Sequence, residues 1–113
     1  MIKQLEAQVH AQKGMAVVEL HGEINAQAEE ALNAAYSRAE ELASAGTVLN
    51  FEDVGYINST GIALIVGLLA RARKNRRKLV VCGLSEHYQE IFRITRLSDF
   101  MEIYDDETSA LAG

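Results

Sequence analysis

The spacing of apolar residues changes from a period of two to a helical period near residue 27, and this change constrains the fold more than any other feature. Leu5, Ala7 and Val9 alternate with Glu6, Gln8 and His10, so residues 3–10 predict a strand with one wet face. Gly14 marks a turn and "MAVVELHG" predicts a second strand, joined to the first by the short "AQKG" as an antiparallel hairpin. From Gln27 to Ala45, residues Ala28, Ala31, Leu32, Ala35, Ala39, Leu42 and Ala43 fall at helical spacing, with Gly46 where a helix stop belongs. A face built mostly of alanine lets that helix lie close to its sheet.

Beyond it, "TVLNF" predicts a short strand, "EDVGYIN" a loop, residues 59–75 a helix buried on most sides, and "KLVVCG" another strand. Strand, helix and strand in this order imply parallel pairing through a right-handed crossover. Ser85 and Glu86 open a third helix with Tyr88, Ile91, Phe92 and Thr95 on one face; "FMEIY" reads as an edge strand and "DDETSALAG" as a brief capped helix. The expected architecture is one α/β domain over residues 1–113. Its mixed sheet begins with an antiparallel hairpin, continues through parallel crossovers, and is covered by about four helices.

Several function classes become improbable on the same residues. The formal net charge is −5, whereas nucleic-acid binding draws on counterion release by a basic surface. The apolar run from Ile62 to Ala70 falls far short of the roughly 20 residues that cross a bilayer, so no direct membrane insertion is expected. "MIKQLEAQV" has charges and glutamines where a signal peptide needs an apolar core, which predicts a cytoplasmic protein. Cys82 is the one cysteine; it excludes an internal disulfide and reads as a small buried hydrophobe. No C-x-x-C or H-E-x-x-H spacing suggests a metal. Ser59 has no G-x-S-x-G elbow, and nothing in the sequence brings His10, His21 or His87 to it. The expectation is a protein that is not an enzyme and carries no cofactor.

What remains is "YINSTGIALIVGLL", residues 56–69. Asn58, Ser59 and Thr60 are all helix-capping types, although one cap suffices. Gly61 keeps a Cβ out of the first turn, so that another backbone or a ligand can approach. The stretch lies at the carboxyl end of a strand and the amino end of a helix, where open α/β sheets place ligands and anions. At the far end of that helix, "RARKNRRK", residues 71–78, places cations where they favour the negative end of the helix dipole. The other reading of this run is a docking patch for an acidic partner.

The element order, together with "GEIN", "VLNFEDVGYINSTGIALI" and "GLSEHYQEIFRITRL", resembles the STAS domain family of bacterial anti-sigma factor antagonists over nearly the whole chain. In that family the middle motif reads approximately D-S-[ST]-G at a helix start, and its first serine is phosphorylated by a partner kinase that doubles as the anti-sigma factor. On matching positions the phosphoacceptor is Ser59, Thr60 is the second hydroxyl and Gly61 the glycine. The resemblance implies that the unmodified protein binds an anti-sigma factor serine kinase of GHKL type and so releases a sigma factor or other client. Phosphorylation then blocks binding until a PP2C-type phosphatase restores the serine.

Three family aspartates are asparagines here: Asn25 after the second strand, Asn50 in the central strand and Asn58 before the phosphoacceptor. Asparagine keeps the size and much of the hydrogen bonding but removes the charge. Two unit charges about 6 Å apart in a watery site interact by on the order of 1 kcal/mol. Arg96 stands where the family often has a small residue. The expected neighbours of the phosphosite are Asn58, Thr60, Gly61, Asn25 and Asn50, and the expected partner surface includes Glu52, Asp53, Tyr56, Ile57 and Ile62. Two other roles fit a STAS domain: a non-switching subunit of a larger assembly, such as a lipid-transport ATPase complex or a stress-signalling scaffold, and a small-molecule or nucleotide sensor with a pocket around Asn25 and Asn58.

Overall fold

Lys13 and Gly14 have φ of 51° and 81°, the left-handed pair that a type I′ hairpin requires. They set Gln12 opposite Met15 and join β1 (Glu6–Gln12) to β2 (Met15–Ile24) in antiparallel register. The computed structural model describes residues 3–43 and 45–113. After a 3₁₀ turn at Ala26–Ala28 come α1 (Glu29–Leu42), β3 (Gly46–Ile57), α2 (Ser59–Lys74), β4 (Lys78–Cys82), α3 (Glu86–Ile94), a second 3₁₀ turn at Leu97–Asp99, β5 (Glu102–Tyr104) and α4 (Glu107–Ala112).

The sheet order is β1-β2-β3-β4-β5, with every pairing after the hairpin parallel. Each crossover therefore steps to the next strand in the same direction, and connections of one hand then place their helices on one face. The main core lies on that face, where Leu32, Ala35, Tyr36 and Ala39 of α1, Ile65, Leu68 and Leu69 of α2, and Tyr88 and Phe92 of α3 meet Val18, Leu20, Leu49 and Phe51. Phe51 and Phe92 pack edge to face, with centroids 6.3 Å apart. On the other face, Ala110 and Leu111 of α4 cover only Val17, Val48, Val80 and Cys82. The predicted mixed sheet, hairpin, parallel crossovers and four helices are all present.

β1 runs Glu6–Gln12 where the spacing predicts residues 3–10, and four further features differ from the sequence expectation. α1 ends at Leu42, because Ala43 is extended with φ −147° and ψ 130°; the expected end at Ala45 crosses residue 44, which lies outside the described residues. Gly46 begins β3 and does not stop α1. Second, "EDVGYI" is not a loop but the second half of β3. Its pairing with the end of β2 slips twice, so that β3 carries an extra residue between Asn50 and Asp53 and another between Val54 and Tyr56. Such bulges break the alternation by which a strand is recognised.

Third, α2 is not buried on most sides. It packs one side on the sheet, while Ala63, Val66, Gly67 and Ala70 face solvent, with Val66 44% exposed. Fourth, Thr95 does not join the core face of α3. It caps the helix from an exposed position, its Oγ1 donating to the Ile91 carbonyl at 2.7 Å. Arg96 follows with φ 68°, a left-handed conformation that glycine adopts at no steric cost.

Candidate functional site

β2 and β3 end side by side with Ile24 opposite Ile57, and the chain leaving each strand is turned into a helix by an asparagine. Asn25 Oδ1 accepts from the Gln27 N–H at 3.0 Å and opens the 3₁₀ turn that leads into α1. Asn58 Oδ1 accepts from the Gly61 N–H at 2.8 Å and caps α2. The Asn58 N–H donates to the Ile24 carbonyl at 3.2 Å, and its own carbonyl receives the Ile62 N–H at 2.9 Å. Three hydrogen bonds thus fix Asn58, and the one to Ile24 ties the helix start to the end of β2.

Gly61 makes the same junction possible. A Cβ there would overlap the Ile24 carbonyl oxygen, so the close approach that glycine permits is by the neighbouring strand. Ser59 and Thr60 occupy the first two positions of α2 and are exposed. Their N–H groups belong to those a helix start leaves unpaired. Among the described residues, neither these groups nor the two hydroxyls take part in a hydrogen bond. A free hydroxyl therefore stands at the positive end of a sixteen-residue helix, flanked by neutral caps.

The structure thus brings Asn25, Asn58, Ser59, Thr60 and Gly61 together. Asn50 is elsewhere. It lies seven residues before Ile57 on β3, about 23 Å back at the usual strand rise. Its Nδ2 donates to Glu107 at 3.0 Å and its Oδ1 accepts from the Glu52 N–H at 2.9 Å, which fastens α4 to the opposite face. Ile57 is also displaced from its expected role. It is buried at 5% exposure, and its N–H donates to the Tyr88 hydroxyl at 2.8 Å, a contact that no local sequence signal announces.

Glu52, Asp53 and Tyr56 are exposed and Ile62 half-buried. Asp53 is paired with His21 Nδ1 at 2.8 Å, and this hydrogen bond holds its carboxyl below the usual range. His10 contacts Glu19 at 3.5 Å, and His87 stacks edge-on against Tyr88; none of the three histidines is bonded to Ser59. A groove of about 550 Å³ beside Asn25 is lined by Gln4, Leu5, Gln27 and Glu30 among others, but Asn58 does not border it. This groove therefore does not join the two asparagines. Cys82 is buried as expected, and loss of solvation with help from Glu107, Asp106 and Glu52 pushes its thiol up to about 12.

The family model for the STAS domain matches residues 6–110. The chain belongs to the STAS domain family. Over 55 residues it is 38% identical to the anti-sigma-B factor antagonist of Staphylococcus aureus, a match covering 49% of this chain and 51% of that one; the matched segment spans about half the length of this curated relative. Two solved structures share the fold at low identity. An anti-sigma factor antagonist from Mycobacterium paratuberculosis superposes with a TM-score of 0.81 at 20% identity, covering 96% of this chain and 92% of its own. The Bacillus cell fate determinant SpoIIAA, in its phosphorylated form, superposes with a TM-score of 0.71 at 21% identity, covering 94% and 96%. Among the described residues of this STAS domain, no helix is long and apolar enough to cross a membrane.

Proposed function

We propose that this STAS domain is an anti-sigma factor antagonist, a cytoplasmic partner-switching protein without enzymatic activity of its own. In the unmodified state it binds an anti-sigma factor serine kinase of GHKL type. Transfer of phosphate to Ser59 breaks that complex, and a PP2C-type phosphatase restores it. The observation that carries this reading is the exposed, unbonded Ser59 hydroxyl at the start of α2. Ser59, Ala63, Val66 and Ala70 follow at i, i+4, i+7 and i+11, so the hydroxyl heads an exposed apolar stripe on which a partner can pack.

A phosphate brings about −1.5 to −2 charges to a surface that had presented a neutral hydroxyl, enough to disrupt an apolar interface without a change of fold. The S. aureus relative bears the name of an antagonist, and phosphorylated SpoIIAA is a protein of the same fold. Both support the reading. Calorimetric titration of the cognate anti-sigma factor tests it: wild type and Ser59→Ala bind alike, and Ser59→Asp binds at least about tenfold more weakly, as expected for a charge placed in an interface core. Equal affinity for all three would instead indicate a non-switching STAS subunit.

A further inference from the structure

A groove of about 740 Å³ opens at the end of the sheet away from Ser59, between the last turns of α2, the start of β4 and the segment from Ser98 to Tyr104. Six of the chain's 11 lysines and arginines lie in residues 71–78, on a chain of net charge −5. The fold uses them unequally. Arg71 binds the Glu40 carboxylate and the Ser37 hydroxyl. Arg77 donates to the carbonyls of Glu40 and Ala43 at 3.1 and 2.7 Å. Both side chains therefore secure the end of α1.

Arg73, Lys74 and Arg76 make no ion pair among the described residues. The guanidinium of Arg73 lies 5.2 Å from the ring centroid of Phe100, which is 55% exposed. Of these three cations Arg73 lines the groove, together with Arg77 and Lys78, and Leu69, Leu79, Met101 and Ile103 supply its apolar surface. The two acids at this end are already engaged, Asp99 with Arg96 at 2.7 Å and Glu102 with Lys78 at 3.6 Å.

We propose that this groove is a second docking site, which takes an acidic segment of a partner protein with an apolar side chain seated against Phe100. Charge complementarity carries the assignment. An acidic segment is repelled by the bulk of this acidic chain, and the cations concentrated in residues 71–78 give one end of it the opposite field. Guanidinium forks match carboxylates in geometry as well as in charge. Arg73, already held over an aromatic ring, loses less rotamer freedom when a carboxylate arrives. β5 is hydrogen-bonded to β4 alone, so its outer edge can also pair with the backbone of an extended segment. Arg73 lies fourteen residues beyond Ser59 along α2, about 21 Å at helical rise. That exceeds the Debye length of about 8 Å at physiological salt, so docking here is independent of phosphate at Ser59.

The test uses the full chain and a fluorescein-labelled peptide, Glu-Glu-Leu-Glu-Glu-Phe-Glu-Glu, followed by fluorescence anisotropy at low and at physiological salt. Wild type and Ser59→Asp bind it equally and more weakly as salt rises. Arg73→Glu and Phe100→Ser, with melting temperatures checked, each bind at least about tenfold more weakly, the scale of one interface hot spot. The same peptide with lysine in place of glutamate does not bind. Undiminished binding by both folded variants, or equal binding of the lysine peptide, overturns the proposal. So does sedimentation showing that wild type self-associates and Arg73→Glu does not, because the occupant is then a second copy of this chain.

Discussion

Ser59 stands where a phosphate meets attraction and little repulsion. The start of α2 offers unpaired N–H groups and the positive end of the helix dipole, worth about 0.3 to 1 kcal/mol to an exposed anion. The two capping residues at the junction, Asn25 and Asn58, are neutral. Phosphorylated protein is therefore expected to melt within a few degrees of the unmodified form, by differential scanning calorimetry; a large drop would contradict this placement. Gly61 is the intolerant neighbour. Gly61→Ala forces a methyl into the Ile24 carbonyl and should lose about 1 to 3 kcal/mol in urea denaturation, as overpacking does. Asn58→Asp keeps the cap and should lose little.

Cys82 permits a check of burial that involves no partner. With its thiol pushed up to about 12, native protein at pH 8 should resist iodoacetamide while urea-unfolded protein reacts; equal rates would refute the burial. The corresponding stability is fully present below the unfolded thiol value of about 8.5 and is lost as pH rises toward the folded one. Capping is local chemistry, so Asn58 and Ser59 were legible in the sequence. Ile57 and Asn50 were not, since the two slips in the β2–β3 pairing hide both how far β3 runs and which side chains it turns inward.

Helix α2 shows what an apolar run does and does not reveal. Its length and cap follow from the residues, but one side proved exposed because all three long helices share a face of the sheet and, among the described residues, nothing covers α2. The basic run at its end was legible by position, but the contacts of Arg71 and Arg77 with α1 were not. Arg77 reaches the carbonyls of α1 across the helix pair, a contact that depends on crossover geometry and leaves no mark on sequence spacing. Arg77→Gln should therefore cost about 1.5 to 3 kcal/mol, the range for charged hydrogen bonds. Arg76→Gln should stay within about 0.5 kcal/mol, as a surface substitution does. Equal losses in parallel urea titrations would return the run to a general dipole role.

Across the whole molecule, the sequential sheet order separates two ends. One carries Ser59 beside the paired ends of β2 and β3, and the other carries the basic run of residues 71–78, with Arg73 over Phe100. The alternation of strands and helices was enough to anticipate this layout, because parallel steps of one hand admit few arrangements. The covering of the second face was not anticipated. It rests on the Asn50 to Glu107 hydrogen bond and a six-residue helix, whose docking joins residues 57 positions apart. The central claim is that Ser59 is the residue a partner kinase modifies. The direct measurement is incubation of wild type, Ser59→Ala, Thr60→Val and Asn58→Asp with the cognate kinase and ATP, with the modified residue mapped by mass spectrometry. One phosphate on Ser59 in every chain except Ser59→Ala is the predicted result. Phosphate on Thr60, or uptake by Asn58→Asp but not by wild type, would contradict it.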